Sequence, residues 1–152
     1  MREIKFRAWN KKYKRMVEGN SIVFNKSFEN GIGIIHGFDR NLKKNVVLFS
    51  ENVDLIQYVR LKDKNKVEIY EGDIVKIKYE AITSWLTDKI EEFEAIGKVA
   101  FLNEDYHSGR KMSEFVIIIP TGWVEFFNCK EIEVIGNIYE NPELLREVRE
   151  EK

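Results

Sequence analysis

Alternation of apolar and charged residues is the feature that most constrains what this chain can fold into. Residues 75–79 read Val-Lys-Ile-Lys-Tyr, and side chains two residues apart lie on the same face of a β-strand. Other short β-type runs follow along the chain, and turn residues such as Asn30-Gly31 and Glu71-Gly72-Asp73 separate them. This spacing predicts many short strands joined by turns.

Two segments depart from the two-residue period and predict helix. Residues 83–92 and their neighbours carry apolar side chains at helical spacing, which indicates a short helix or a long excursion between two strands. Near the end, Asn141 suits the N-cap position and Pro142 suits the first helical position. We therefore expect a C-terminal helix over residues 140–152.

The predicted fold class is mainly β with minor α. Short strands with a turn every several residues favour a closed or strongly curved β structure. We expect an N-terminal β-rich portion over residues 1–60, an SH3-like small β-barrel over residues 61–139, and a C-terminal helix over residues 140–152.

Composition excludes several classes of protein. The chain has 152 residues and a formal net charge of -1, so it has no overall attraction to nucleic acid or to a membrane surface. Its one cysteine, Cys129, rules out an intrachain disulfide and a cysteine-rich zinc site. No apolar run approaches the ~20 residues of a membrane span. No apolar signal core follows the first residues, so we expect a cytoplasmic protein with no membrane partner.

The strongest local signal is a basic hairpin at the N-terminus. Ile4, Phe6 and Ala8 alternate with polar or larger residues, a turn follows at Asn10-Lys11-Lys12, and a second strand begins near Met16. Seven cations and one acid give this segment a net charge of +6. The seven cations, as candidate nucleic-acid-binding residues, are Arg2, Lys5, Arg7, Lys11, Lys12, Lys14 and Arg15.

Three interpretations of this hairpin remain open. The cations can contact phosphates while Phe6, Trp9 or Tyr13 stacks on a base. They can also form a solvated outer face, since lysines at a sheet edge discourage edge-to-edge pairing. Finally, they can meet acidic residues of a second copy of the chain or of another protein. Charge alone does not separate these interpretations.

Candidates for catalysis are weak. Asp105 and His107 have metal-ligand chemistry but lie in a polar segment that predicts a loop, so a metal-dependent hydrolase is only a remote alternative. Cys129 has no histidine next to it in the sequence and is expected to be a bystander thiol. Glu71 and Asp73 flank Gly72 and are explained by a turn. We therefore predict no catalytic residue, no metal site and no cofactor.

Three blocks of sequence, in order along nearly the whole chain, resemble the YopX family of phage and prophage proteins. The opening block is MREIKFRAW at 1–9, the central block comprises LIQY at 55–58, LKDKN at 61–65 and EIYEGDIV at 68–75, and the closing block is EVIGNIYENPELL at 133–145. The resemblance implies a mainly β protein with a small SH3-like barrel, encoded by a phage or prophage. It brings no catalytic residues.

The chain departs from the family pattern at two glycines. Val59-Arg60 stands where the family typically has Thr-Gly, and Asn65-Lys66 stands where it often has Asn-Gly. Without that second glycine a tight two-residue turn is disfavoured, since the turn requires a positive φ. The hairpin at this point is therefore expected to be longer or bulged.

The sequence thus predicts a non-enzymatic phage or prophage accessory protein in the host bacterium. Its leading role is a protein-interaction or self-assembling module, with a protein partner or a homo-oligomer. The alternative is a nucleic-acid-binding module that uses the basic N-terminal hairpin.

Overall fold

The computed structural model describes residues 4–24, 32–84, 88–105 and 111–145, which form eleven β-strands and two short 3-10 segments. The strands are β1 (Phe6–Asn10), β2 (Arg15–Phe24), β3 (Ile32–Asp39), β4 (Lys44–Phe49), β5 (Val53–Lys62), β6 (Glu68–Tyr70), β7 (Asp73–Ser84), β8 (Lys89–Asp105), β9 (Lys111–Ile119), β10 (Gly122–Glu125) and β11 (Cys129–Asn137). The 3-10 segments are Ser50–Asn52 and Phe126–Asn128. The mainly β prediction is correct, and no helix of the described residues is long and apolar enough to cross a membrane.

The chain divides into two compact units, Met1–Tyr58 and Val59–Lys152. Strands of the first unit lie in the antiparallel order β4–β3–β2–β1–β5, and β6 follows β5 in the same sheet. The predicted N-terminal hairpin is confirmed, because β1 and β2 pair in regular register. The core of this unit is a cluster of buried apolar side chains: Ala8, Val17, Ile35, Leu48 and Val53.

Two hairpins of the first unit, β1–β2 and β3–β4, use the same kind of turn. The buried Asn10 and Asp39 each close a turn by accepting backbone N–H groups two and three residues further on, at 2.9 to 3.1 Å. Each loop ends with a lysine in the left-handed region, Lys14 at φ 49° and Lys43 at φ 50°. A short polar side chain that satisfies its own turn explains why these turns form without glycine.

The second unit contains a sheet in the antiparallel order β10–β9–β8–β7–β11. Its core is formed by the inward side chains of these strands and of β6: Ile69, Val75, Ile77, Val99, Ile117, Ile119 and Val124. The predicted turn at Glu71-Gly72-Asp73 is confirmed. Gly72 has φ 79°, its N–H donates to the Val99 carbonyl at 2.8 Å, and its carbonyl accepts from the Ile138 N–H at 2.9 Å.

The predicted SH3-like barrel over residues 61–139 is wrong. In the described residues the second sheet is open, with β10 and β11 as its two edges. A barrel needs those edges to hydrogen-bond to each other. The outer side of β11 instead holds the turn after β5, where the Lys64 N–H donates to the Ile132 carbonyl at 2.9 Å. This turn occupies the backbone groups that closure would need.

The predicted helix over residues 83–92 is also wrong. β7 continues to Ser84 and β8 begins at Lys89, so the described residues on both sides form a long hairpin. Ile82 lies opposite Ile90, and Tyr79 lies opposite Phe93 with ring centroids 5.7 Å apart. Cross-strand contacts of this kind stabilise strands, and they override a local helical spacing.

The C-terminal helix predicted over residues 140–152 is not seen in the described residues, where Pro142 and Glu143 lie in a turn and only Leu144 and Leu145 are helical. The capping residue is Asn137, whose side-chain oxygen accepts the N–H groups of Tyr139 and Glu140 at 3.0 and 2.9 Å. Asn137 thus closes a turn before Asn141 is reached, and residues 146–152 lie outside the described residues.

Candidate functional site

The cations of the predicted N-terminal patch do not form one surface. Lys5 and Arg7 belong to the β1 strand region, while Lys11 to Lys14 form the turn at its far end. Lys11 lies six residue steps beyond Lys5, which is about 20 Å in extended chain. Arg2 lies outside the described residues, so the structure places six of the seven candidates.

Acids from later strands are brought next to this hairpin. Lys11 Nζ lies 2.7 Å from Asp54 Oδ1, and Arg15 lies 3.9 Å from the buried carboxylate of Asp39. These acids are distant in sequence, so the +6 count did not include them. The tertiary structure therefore reduces the positive charge that the hairpin presents to a partner.

Two further cations lie on the strand. Lys5 Nζ is 5.6 Å from the ring centroid of Tyr58, a cation–π distance. Arg7 lies directly opposite Glu18 of β2 in the register of the hairpin. Both positions indicate that these cations take part in the packing of the first unit.

What remains at the tip is a small group. Lys12 and Lys14 are exposed there, and Tyr13 between them is 60% exposed. Lys12 Nζ lies 5.3 Å from the Tyr13 ring centroid. Two lysines beside an exposed aromatic ring are suited to a phosphate and a base.

The candidates for catalysis gain no support. Burial raises the pKa of Cys129 to about 11, and its thiol donates a weak hydrogen bond to the Glu125 carbonyl at 3.7 Å. His107 lies outside the described residues. Among the side chains that the structure describes, no group of three or more His, Cys, Asp or Glu residues is arranged to hold a metal.

Glu92 and Glu94 of β8 are paired with lysines of β7 and β11. Glu94 lies 3.5 Å from Lys76 and 3.4 Å from Lys78, and these charges lower the pKa of Glu94 below its ordinary value. Lys130 binds Glu92 at 3.1 Å in the same way. These acids therefore belong to a network of ion pairs between strands.

A different feature, the free edge of β4, distinguishes the first unit. β4 is the last strand in the order of its sheet and pairs with β3 without any register shift. Residues 45–49 of this edge read Asn-Val-Val-Leu-Phe and carry no charge. Val47 is 53% exposed and Phe49 is 56% exposed, while Leu48 between them is buried in the core.

Edges of the other strands are protected in ways that β4 lacks. Unpaired strands invite pairing with another chain, and proteins prevent this with short strands, charges, bulges or coverage. β6 has 3 residues and β10 has 4 residues, so both are short. β11 is longer, but two register shifts interrupt its pairing with β7.

Coverage of β11 comes from the turn of residues 63–66. The buried Asp63 carboxylate accepts the N–H of Val134 on β11 at 3.0 Å, and those of Asn65 and Val67 at 2.8 and 2.9 Å. Burial alone would raise the pKa of Asp63, but these three donors and the Lys64 charge lower it below its ordinary value. The carboxylate therefore fixes the turn over the edge of β11.

Lys64 completes this coverage with charge. Its ammonium group lies 2.8 Å from Glu131 and 2.7 Å from Glu133, both on β11. These hydrogen bonds raise the pKa of Lys64 above its ordinary value. β11 is thus bulged, charged and covered, whereas the centre of β4 has none of these protections.

A shallow cleft of about 260 Å³ lies beside the β4 edge. It is lined by Asn20, His36, Gly37, Asn45, Val46 and Val47. Val47 lies opposite His36 in the β3–β4 register, so the cleft opens on the same face as the exposed Val47 side chain. The edge therefore offers both backbone hydrogen-bonding groups and a recess for a side chain.

Sequence reasoning missed this site, although the sequence held part of the signal. Residues 46–49 form one of the short β-type runs of the sequence, and an uncharged β-prone segment without proline is a known signal for strand association. The sequence does not show that β4 would be the last strand of its sheet. That position follows from the order of strands, which long-range pairing determines.

The fold and the edge together define a class: an all-antiparallel β protein whose first sheet ends in an unprotected strand. The chain belongs to the YopX protein family, whose model matches residues 5–146. The chain is similar to a solved structure titled protein EF1440 from Enterococcus faecalis, with 27% identity and a TM-score of 0.52. That match covers 95% of this chain and 99% of the other. No curated protein matches the chain.

Proposed function

We propose that this YopX family protein is a phage or prophage accessory protein that acts without catalysis in the cytoplasm of the host bacterium. Its role in this proposal is a protein-interaction or self-assembling module, and it needs no cofactor. The family supports the biological setting, because the resembling proteins are encoded by phages and prophages. The free edge of β4 supports the mode of action.

One observation carries the proposal: β4 is an uncharged edge strand with two exposed apolar side chains, Val47 and Phe49. An extended segment of another chain can add to such an edge, since main-chain hydrogen bonds supply affinity and side-chain pockets supply specificity. The other edges in the described residues are short, bulged and covered, or carry charged residues, whereas the centre of β4 is uncharged.

Association through β4 can be tested with a charge placed at the edge. Val47→Lys puts an ammonium group on the exposed face, which opposes strand addition. We expect wild type to form an oligomer in light scattering, or to capture a partner from phage-infected cell extract that mass spectrometry identifies after nuclease treatment. We expect Val47→Lys to lose that oligomer or that partner.

Ile90→Lys is the matched control. Ile90 is 59% exposed and lies on β8 opposite Ile82, in a stretch that already carries Lys89, Glu91 and Glu92. This variant should behave as wild type because it adds a charge to a segment that is already charged, and not to an uncharged edge. The proposal is wrong if wild type is monomeric and Val47→Lys captures the same proteins as wild type.

Nucleic-acid binding is the second candidate, and the exposed tip of the β1–β2 hairpin favours it. In this proposal the contacts come from Lys12 and Lys14 beside Tyr13, since Lys11 and Arg15 lie next to Asp54 and Asp39. Two phosphate contacts predict that log K falls with log salt with a slope of about two.

The test of this candidate is duplex DNA titrated at low salt and at ~150 mM salt. Lys12→Glu/Lys14→Glu should abolish binding. Lys62→Glu/Lys66→Glu is the control variant, which reverses the same number of charges away from the hairpin tip. Lys62 and Lys66 are exposed, and Lys66, like Lys14, has a positive φ. Equal binding by both double variants would exclude the hairpin tip as the site.

A further inference from the structure

The β4 edge is complementary to a second copy of itself. We propose that two copies of this chain pair their β4 strands antiparallel across a two-fold axis at Val47, which joins two first sheets into one continuous sheet. This inference rests on the proposed function and names the partner as the chain itself. It is carried by side-chain register, by charge and by the cleft beside the strand.

Register favours Val47 as the centre. Residues directly opposite each other in an antiparallel pair lie on the same face of the sheet. With the axis at Val47, Val46 lies opposite Leu48 of the other copy, and both belong to the core side of the sheet. An axis at Val46 would instead place Lys44 opposite the buried Leu48. The Val47 register therefore keeps lysine away from the apolar face.

Charges at the two ends of β4 also favour an antiparallel pair. Lys43 and Lys44 precede the uncharged stretch and Glu51 follows it, and all three are exposed. None of the three forms an ion pair among the residues that the structure describes. In the Val47 register, the turn that carries Lys43 lies at the same end of the paired strands as the 3-10 segment that carries Glu51 of the other copy, and the two-fold axis repeats this proximity. A parallel arrangement would bring like charges together.

The cleft beside β4 completes the complementarity. In the same register, Phe49 of the second copy lies opposite Asn45, which lines the cleft together with Val47 and His36. Phe49 is 56% exposed in the single chain, so its ring is available for this contact. Each copy supplies one phenyl ring and one cleft, as a two-fold interface requires.

Charge reversal tests the register directly. Lys43→Glu and Glu51→Lys should each raise the dimer dissociation constant about tenfold, since each loses an exposed pair and creates a repulsion twice per dimer. The double variant Lys43→Glu/Glu51→Lys restores opposite charges, so its constant should return to within about threefold of wild type. Light scattering across a protein concentration series gives all four values.

Cross-linking tests the axis independently. Val47→Cys should form a disulfide-linked dimer under mild oxidation, because residue 47 meets its own copy at the axis. Asn45→Cys is the control, since its counterpart would lie four residues further along, about 13 Å away. Both variants retain Cys129, so the wild type reports any cross-link through that thiol.

Outcomes separate this inference from the proposed function. A monomeric wild type overturns self-pairing; the proposed function then stands if Val47→Lys loses a captured partner and fails if it does not. The Val47 register is wrong if neither single charge reversal raises the dissociation constant of the dimer. It is also wrong if Asn45→Cys cross-links as readily as Val47→Cys. Rescue by the double reversal together with selective cross-linking at position 47 is the expected result.

Discussion

β4 ends the first sheet as six residues in regular register, whereas β11 ends the second sheet as nine residues interrupted by two register shifts. β11 also carries paired charges and is covered by the Asp63 turn, while residues 45–49 of β4 are uncharged. Both strands are edges of antiparallel sheets in one chain, so the same tendency to associate acts on both. The difference indicates that protection is applied strand by strand, and that the centre of β4 lacks it.

The largest effect on stability is expected from a variant that removes the protection of β11. Asp63→Ala leaves the N–H groups of Asn65, Val67 and Val134 without their acceptor in a buried setting. Hydrogen bonds to a charged group contribute about 1.5–3 kcal/mol each and are not additive, so we expect the second unit to lose about 3–4 kcal/mol of unfolding free energy. Urea denaturation measures this loss.

The control for Asp63→Ala lies in the first unit. Asp39 is also buried and also closes a turn, but its carboxylate accepts two backbone N–H groups, those of Asn41 and Leu42. Asp39→Ala should therefore cost less, about 1–2 kcal/mol. Equal losses from the two variants would show that the bond to Val134 contributes nothing to covering β11.

Lowering the pH should reduce the unfolding free energy by less than Asp63→Ala does, since protonation of the Asp63 carboxylate removes only its charge. The pKa of Asp63 in the folded protein lies below the ordinary aspartate value of 3.8, so the stabilisation is fully present above that pH. It is lost as the pH falls through the lower folded pKa. Asp63→Asn should flatten this part of the stability profile in urea titrations from neutral to acidic pH. An unchanged acid limb in Asp63→Asn would contradict this assignment.

A smaller, favourable effect is expected at the two lost family glycines. Arg60 has φ 68° and Lys66 has φ 66°, so both residues that replace a family glycine occupy the left-handed region. Arg60→Gly and Lys66→Gly should each stabilise the protein by about 0.5–1 kcal/mol, because glycine adopts this conformation without steric cost. Thermal unfolding measures the gain, and Lys66→Ala, which keeps a Cβ, should not show it.

The smallest effect on stability is expected at the open edge. Val47→Lys changes a side chain that is largely exposed, so the unfolding free energy of the monomer should shift by no more than about 0.5 kcal/mol. The same variant should abolish association through β4. A loss of monomer stability comparable with that of Asp39→Ala would mean that Val47 packs within its own chain, and that β4 is not open.

Local patterns predicted the strands well where one face is buried. The alternation in residues 75–79 lies in β7, and the hairpin predicted near Asn10 forms because that side chain closes its own turn. The turn at Asp63 encloses three residues before Val67, longer than a two-residue turn, as the missing glycine predicted. These features depend on residues close in sequence, so sequence alone determines them.

Predictions failed where the outcome depended on distant partners. Residues 83–92 have helical spacing, but pairing between β7 and β8 holds the described part of this segment in strands. The barrel does not close because the Asp63 turn occupies the edge of β11. The net charge of +6 counted for the N-terminal segment overstates the charge that the hairpin presents, because Asp54 and Asp39 lie beside Lys11 and Arg15.

The sequence by itself determined a mainly β chain of the YopX family, with its hairpins and turns, because strand periodicity and turn chemistry are local. Only the tertiary structure decided which strand would be an edge and which edge would be covered. Strand order arises from long-range hydrogen bonding, and an uncharged run such as residues 45–49 reads the same whether it lies inside a sheet or at its margin. Its exposure at β4 is what makes it a candidate binding surface.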